Sequence, residues 1–181
     1  MRIYVPVTAG AVTALAEGGP VPTTSIAGTT AFAVTPGLRA WYSEDHPRGA
    51  DDPDEEDLEY VACAEAARAC LRLLAADPAA PRRRVVLAVD VPDGDVLVRD
   101  DLDRGVVRTS AELTAPQLAA LFVDDSEAAA TVARAAEVID AADLGDAAAE
   151  QIVGDTEGFE LSWFGPSELA LVDLDLAADP G

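Results

Sequence analysis

The chain has 181 residues and a formal net charge of -22, yet half of its residues are hydrophobic and all twelve basic residues are arginine. That length suits one domain with a real core, and that apolar content excludes a disordered acidic chain. The acid excess gathers in residues 43–65 and 111–181, which works against binding nucleic acid or anionic membranes, both of which need clustered basic side chains.

A strand is predicted over residues 2–7, where Ile3, Val5 and Val7 alternate with more polar positions. Pro6, Thr8, Gly10 and Thr13 interrupt the apolar stretch, so Ala14-Leu15-Ala16 is not read as a signal-peptide cleavage site. A helix over 9–17 ends at Gly18-Gly19-Pro20. A second strand falls within 25–34, and Pro36 opens a short helix over 36–42. After an acidic loop, Asp52-Pro53-Asp54-Glu55 reads as a helix start with Asp52 as the cap. That helix runs to about Ala76, with Tyr60, Cys63, Ala67, Cys70, Leu71 and Leu74 on its buried face. Cys63 and Cys70 are two helical turns apart, about 10 Å, too far for a disulfide. They read as small buried apolar residues, compatible with a reducing cytoplasm.

VVLAVDV at 85–91 reads as a strand buried on both faces. Short strands follow at 96–98 and 106–110. LAALFVD at 118–124 reads as strand, because Asp124 and Glu127 have the spacing of cap and third residue for a helix over 125–142. Asp146 caps a short helix over 147–153, FELSWF at 159–164 is strand, and Pro166 starts a last short helix to Val172. The expected fold is a single α+β domain over residues 1–176, a mixed β-sheet packed with helices, with a loose tail at 177–181. No stretch reaches the ~18 apolar residues of a membrane span.

Two stretches echo one another. Residues 31–41, AFAVTPGLRAW, and 161–171, LSWFGPSELAL, both read strand, proline, then apolar helical turn, and each follows a strand and a helix. Two related β-α-β-Pro-α halves would explain this; so would the frequency with which proline leads from strand into helix. MRIYVP, FAVTP and SWFGPSEL together resemble an actinobacterial family of small proteins known only as a domain of unknown function. The absence of lysine and asparagine fits a GC-rich source. The resemblance implies a small bacterial cytosolic protein; it implies no reaction and brings no active site.

Chemistry is narrowed chiefly by what is missing. Without lysine there is no P-loop lysine and no Schiff base. Gly10, Gly18 and Gly19 do not form the glycine-rich turn of a dinucleotide site. His46, the single histidine, stands beside Glu44 and Asp45, which favour its charged form and make it a poor general base. Asp101, Asp103 and Glu112 have EF-hand spacing, but Gly105 and Val106 occupy the ligand and sharp-turn positions between them. No metal and no cofactor is called for. Arg82-Arg83-Arg84 reads as a structural cluster that pairs with the abundant acid.

Two functional readings stand. One is a non-catalytic cytosolic protein acting through contacts with a partner protein, with Arg39, Trp41 and Tyr42 as the contact surface; Trp163, on a strand, is expected in the core. The other is a small-molecule-binding protein or enzyme with a pocket at strand ends near Tyr4, Thr35, Arg39, Asp90 and Asp124. Nucleic-acid mimicry rests on charge alone and ranks last.

Overall fold

A computed structural model of the chain describes residues 1–22, 28–45 and 54–172. His46, Asp52, Pro53 and the tail at 177–181 lie outside the described residues. In chain order the main elements are β1 (Arg2–Val7), α1 (Ala9–Ala16), β2 (Thr29–Phe32), α2 (Pro36–Asp45) and α3 (Glu55–Ala76). β3 (Val85–Asp90), β4 (Val96–Val98), β5 (Val106–Thr109) and β6 (Leu118–Asp124) follow. α4 (Ala129–Asp143), α5 (Ala147–Gly154) and β7 (Leu161–Phe164) complete them.

The fold is α+β, as expected. The seven strands form one sheet in the order β4-β5-β2-β1-β3-β6-β7. Every pairing is antiparallel, so the expected mixed sheet is corrected. The apolar run of β3 implies burial on both faces, which is common in parallel sheets but does not fix strand direction. Helices on both faces bury it equally well in an antiparallel sheet. On one face Val5, Leu87 and Leu121 pack under Val12 and Leu15 of α1. On the other, Tyr4, Val86, Ala88 and Ala120 pack under Leu58, Cys63, Ala66 and Cys70 of α3. α4 and α5 then pack on the far half of α3 through Leu71, Leu74, Val132, Ile139 and Val153.

The two echoing segments flank β3. β1-α1-β2 lies on one side of it, and β6, α4, α5 and β7 lie on the other. Their faces are exchanged: Leu38, after Pro36, joins the core on the α3 face, whereas Leu169, after Pro166, joins the core on the α1 face.

Helix ends follow local chemistry. Asp54, not Asp52, caps α3: its backbone is extended and its carboxylate accepts from the Asp57 amide at 2.9 Å. At the other end of α3, Arg82 donates to the Leu74 carbonyl at 2.6 Å and to the Pro78 carbonyl. Asp146 caps α5 as expected, accepting from the amides of Ala148 and Ala149, both at 2.9 Å. Asp124 caps nothing. It ends β6 fully buried, and a short 3-10 turn, Ser126–Ala128, leads into α4 instead.

Candidate functional site: an acidic, aromatic groove

The residues singled out in the sequence fall into separate places. Thr35 is buried; its Oγ1 accepts from the amides of Leu38 at 3.1 Å and Gly105 at 3.2 Å and donates to Asp100 at 2.7 Å. It therefore starts α2 and ties it to the turn between β4 and β5. Arg39 is exposed and pairs with Glu55 at the start of α3. Trp41 is half-buried against the α3-face core, with the Arg104 guanidinium 4.1 Å above its ring and Tyr42 edge-on at 6.4 Å. Arg104 over that ring is a cation–π contact within the chain. Asp90 is exposed and holds Arg2 through two hydrogen bonds of 3.0 and 3.1 Å.

The expected strand-end pocket therefore does not assemble. Of its five residues, Tyr4 lines a groove, and Asp124 reaches the same groove only through its partner Arg84; Thr35, Arg39 and Asp90 are not among the lining residues.

That groove has a volume of about 710 Å³, within the range of ligand sites. α3 supplies one wall, with Glu56, Glu59 and Tyr60. The other wall comes from the turn after α5 and from β7, with Glu157, Phe159, Leu161 and Trp163. Tyr4 of β1 and Phe122 of β6 meet at the floor with ring centroids 6.4 Å apart, beside Cys63 and Arg84.

Two aromatic residues stand where the sequence reading did not put them. Trp163 is 60% exposed rather than in the core, and Tyr60 is 71% exposed rather than on the buried face of α3. Register explains the first. Trp163 pairs with Phe122, so both face the α3 side of the sheet. There α3 and the turn after α5 stand apart and leave the edge strand β7 uncovered. Tyr60 lies one turn before Cys63 on the same stripe, but no described element packs over it. Periodicity identifies a stripe; it does not say where its cover stops.

One buried ion pair organises the floor. Arg84 and Asp124 side chains are 5% and 0% exposed. Nε and Nη2 of Arg84 donate to the Asp124 carboxylate at 2.9 and 2.7 Å, and the Arg84 amide adds a third bond at 2.7 Å. Nη2 also donates to the Phe159 carbonyl at 2.9 Å, which ties the far wall to the sheet. Nη1 donates to no described residue.

The rim is acidic. Glu56, Glu59, Glu65, Glu157 and Glu160 line the groove, and none forms a salt bridge among the described residues. The two lining arginines are already engaged, Arg84 with Asp124 and Arg68 with Glu150 at 2.9 Å. Burial, reinforced by Asp103, pushes the Glu65 carboxyl above the usual range. Burial, reinforced by Glu59, likewise raises the Tyr4 phenol. The Cys63 thiol is pushed up to about 12 by burial. Among the described residues no group of three His, Cys, Asp or Glu side chains is placed to hold a metal ion, and no helix is long and apolar enough to cross a membrane.

A protein-family model, described as a family of unknown function (DUF6912), matches residues 1–172. The chain belongs to this family. The match runs from β1 through the turn that follows Pro166, and so spans every residue of the groove. It agrees with the resemblance carried by MRIYVP, FAVTP and SWFGPSEL. No curated protein and no solved structure matches the chain.

Proposed function

We propose that the protein is a non-catalytic binding protein that docks a partner protein in the groove between α3 and β7. The observation that carries this is the placement of Trp163 and Tyr60, two large aromatic side chains exposed by more than half and lining one groove. Exposed Trp and Tyr in a concave site are the side chains that dominate binding energy at protein interfaces. The contact surface thus moves from Arg39, Trp41 and Tyr42, whose main contacts lie within the chain, to the opposite side of α3. The groove favours binding over nucleophilic chemistry, since its thiol and its buried phenol are both held protonated. The free, buried Cys63 and Cys70 suit a cytoplasmic setting. The ligand-pocket reading survives in reduced form, with Tyr4 and Arg84 as its floor.

Photo-crosslinking tests this. A benzoylphenylalanine replaces Tyr60 in one chain and Leu144, 90% exposed on the turn between α4 and α5, in another. Each is irradiated in extract of the source cells. The expected result is an adduct specific to position 60, from a protein that when purified binds the native chain and loses binding to Trp163→Ala. Identical adducts at both positions, or unchanged binding to Trp163→Ala, would overturn the proposal.

A further inference from the structure

We infer that the segment docked in the groove is a basic one, an extended stretch of the partner that presents a Lys or Arg side chain to the glutamate rim. This rests on the docking reading and specifies its chemistry. Three independent features point the same way.

The first is charge. Five lining glutamates face two lining arginines, and both arginines are already paired with acids of their own. The groove therefore keeps a local negative excess within a chain of net charge -22. An incoming cation meets attraction both at long range and at the rim.

The second is the aromatic wall. Tyr60 and Trp163 are both more than half exposed and line the same groove as those carboxylates. Aromatic faces attract an ammonium or guanidinium and cover its aliphatic stem.

The third is Arg84. Its side chain is nineteen-twentieths buried at the groove floor, with Nε and Nη2 committed to Asp124 and Phe159 and Nη1 donating to no described residue. Asp124 cancels its charge, so it attracts no anion strongly; it remains a hydrogen-bond donor. A main-chain carbonyl of an extended segment is an acceptor that Nη1 can take. A bare organic cation supplies none. Among the described strands β7 is an edge of the sheet, and beside Trp163 it gives such a segment further backbone partners.

The test uses the full chain with Trp41→Phe, so that fluorescence reports Trp163. Three peptides of equal length are titrated, one with two lysines and an arginine, one with glutamines in their place, and one with glutamates. Tetramethylammonium serves as the small-cation probe. Two charge-removal variants are compared: Glu59→Gln/Glu157→Gln/Glu160→Gln in the groove, and Glu127→Gln/Glu137→Gln/Asp140→Asn on exposed positions outside it. Circular dichroism and thermal melts confirm that both fold.

The expected result is binding of the basic peptide alone, weakened by salt. Removing the three rim charges lowers its affinity about tenfold, about 1.4 kcal/mol, while the outside variant binds as the parent does. Equal binding of the neutral peptide, equal loss in both variants, no binding of the basic peptide, or binding of tetramethylammonium alone would overturn the inference. A partner crosslinked at position 60 whose binding ignores the rim variant would leave docking in place and reject only its basic character.

Discussion

Replacing Asp124 with leucine should be among the most damaging single changes in this chain. Asp124 is fully buried and accepts three hydrogen bonds from Arg84, two from its guanidinium and one from its backbone amide. Asp124→Leu leaves a buried guanidinium without its counter-charge, and loss of one member of such a pair costs about 3–5 kcal/mol. For a chain of this size that lowers Tm by roughly 6–20 °C. The double variant Arg84→Met/Asp124→Leu removes the stranded charge along with its partner. It still leaves the residue 84 amide short of an acceptor and loses the bond to the Phe159 carbonyl, at about 1–3 kcal/mol for a buried donor. The double variant should therefore be more stable than the single one. Urea unfolding of parent, Asp124→Leu and the double variant measures both differences. A loss under about 1 kcal/mol for Asp124→Leu would contradict the placement of this pair in the core, as would a double variant less stable than the single.

Other consequences are open to simpler tests. With thiols pushed up to about 12 by burial, Cys63 and Cys70 should resist a disulfide reagent at pH 8 in the native chain and react at once when it is unfolded in urea. Rapid modification of the native chain would contradict their burial. Asp143 is held below the usual carboxylate range by the Arg72 guanidinium, with Arg68 adding to it. A depressed carboxyl stabilises the fold above its unfolded value, near 3.9, and loses that contribution as pH falls through the folded value. Asp143→Asn should therefore cost a few tenths to about 1 kcal/mol at pH 7, with the deficit closing below about pH 4 in urea midpoints measured against pH. Gly28 has φ of +91°, and a Cβ there would sit 2.6 Å from the Thr109 carbonyl oxygen. Gly28→Ala should destabilise by at least about 1–2 kcal/mol, and an unchanged melting curve would refute that loop conformation.

Much of the fold was legible in the residues. The strand at 118–124 was separated from a competing helix because an acidic pair downstream marked a later helix start. That argument placed the boundary correctly while giving Asp124 the wrong task, since spacing alone cannot tell a cap from the buried partner of an arginine 40 positions away. The sheet was expected to be mixed and is antiparallel throughout; burial of a strand on both faces does not fix the direction of its neighbours. Asp146 was found because a short polar side chain before a helix has a local job, whereas Thr35, read as a pocket residue, has the same kind of job at the start of α2. The groove was not found. Its walls come from helix α3, the turn after α5 and strand β7, far apart in sequence, and its defining feature is a place where packing stops. Trp163 was assigned to the core on its strand position and Trp41 to a surface on its nearness to a loop. The structure reverses the emphasis, with Trp163 60% exposed and Trp41 half-buried beneath Arg104. The signals present in the sequence were Glu56, Glu59 and Tyr60 at one helix start and the aromatic FELSWF at a chain-terminal strand.

Whether Trp163 is the residue that a bound partner covers can be measured directly by acrylamide quenching. In the Trp41→Phe chain the emission of Trp163 should be readily quenched when free and protected several-fold on saturation with the basic peptide. In the Trp163→Phe chain, quenching of Trp41 should be the same with and without it. A peptide that binds while leaving Trp163 as accessible as before would contradict the assignment of the groove as the docking site.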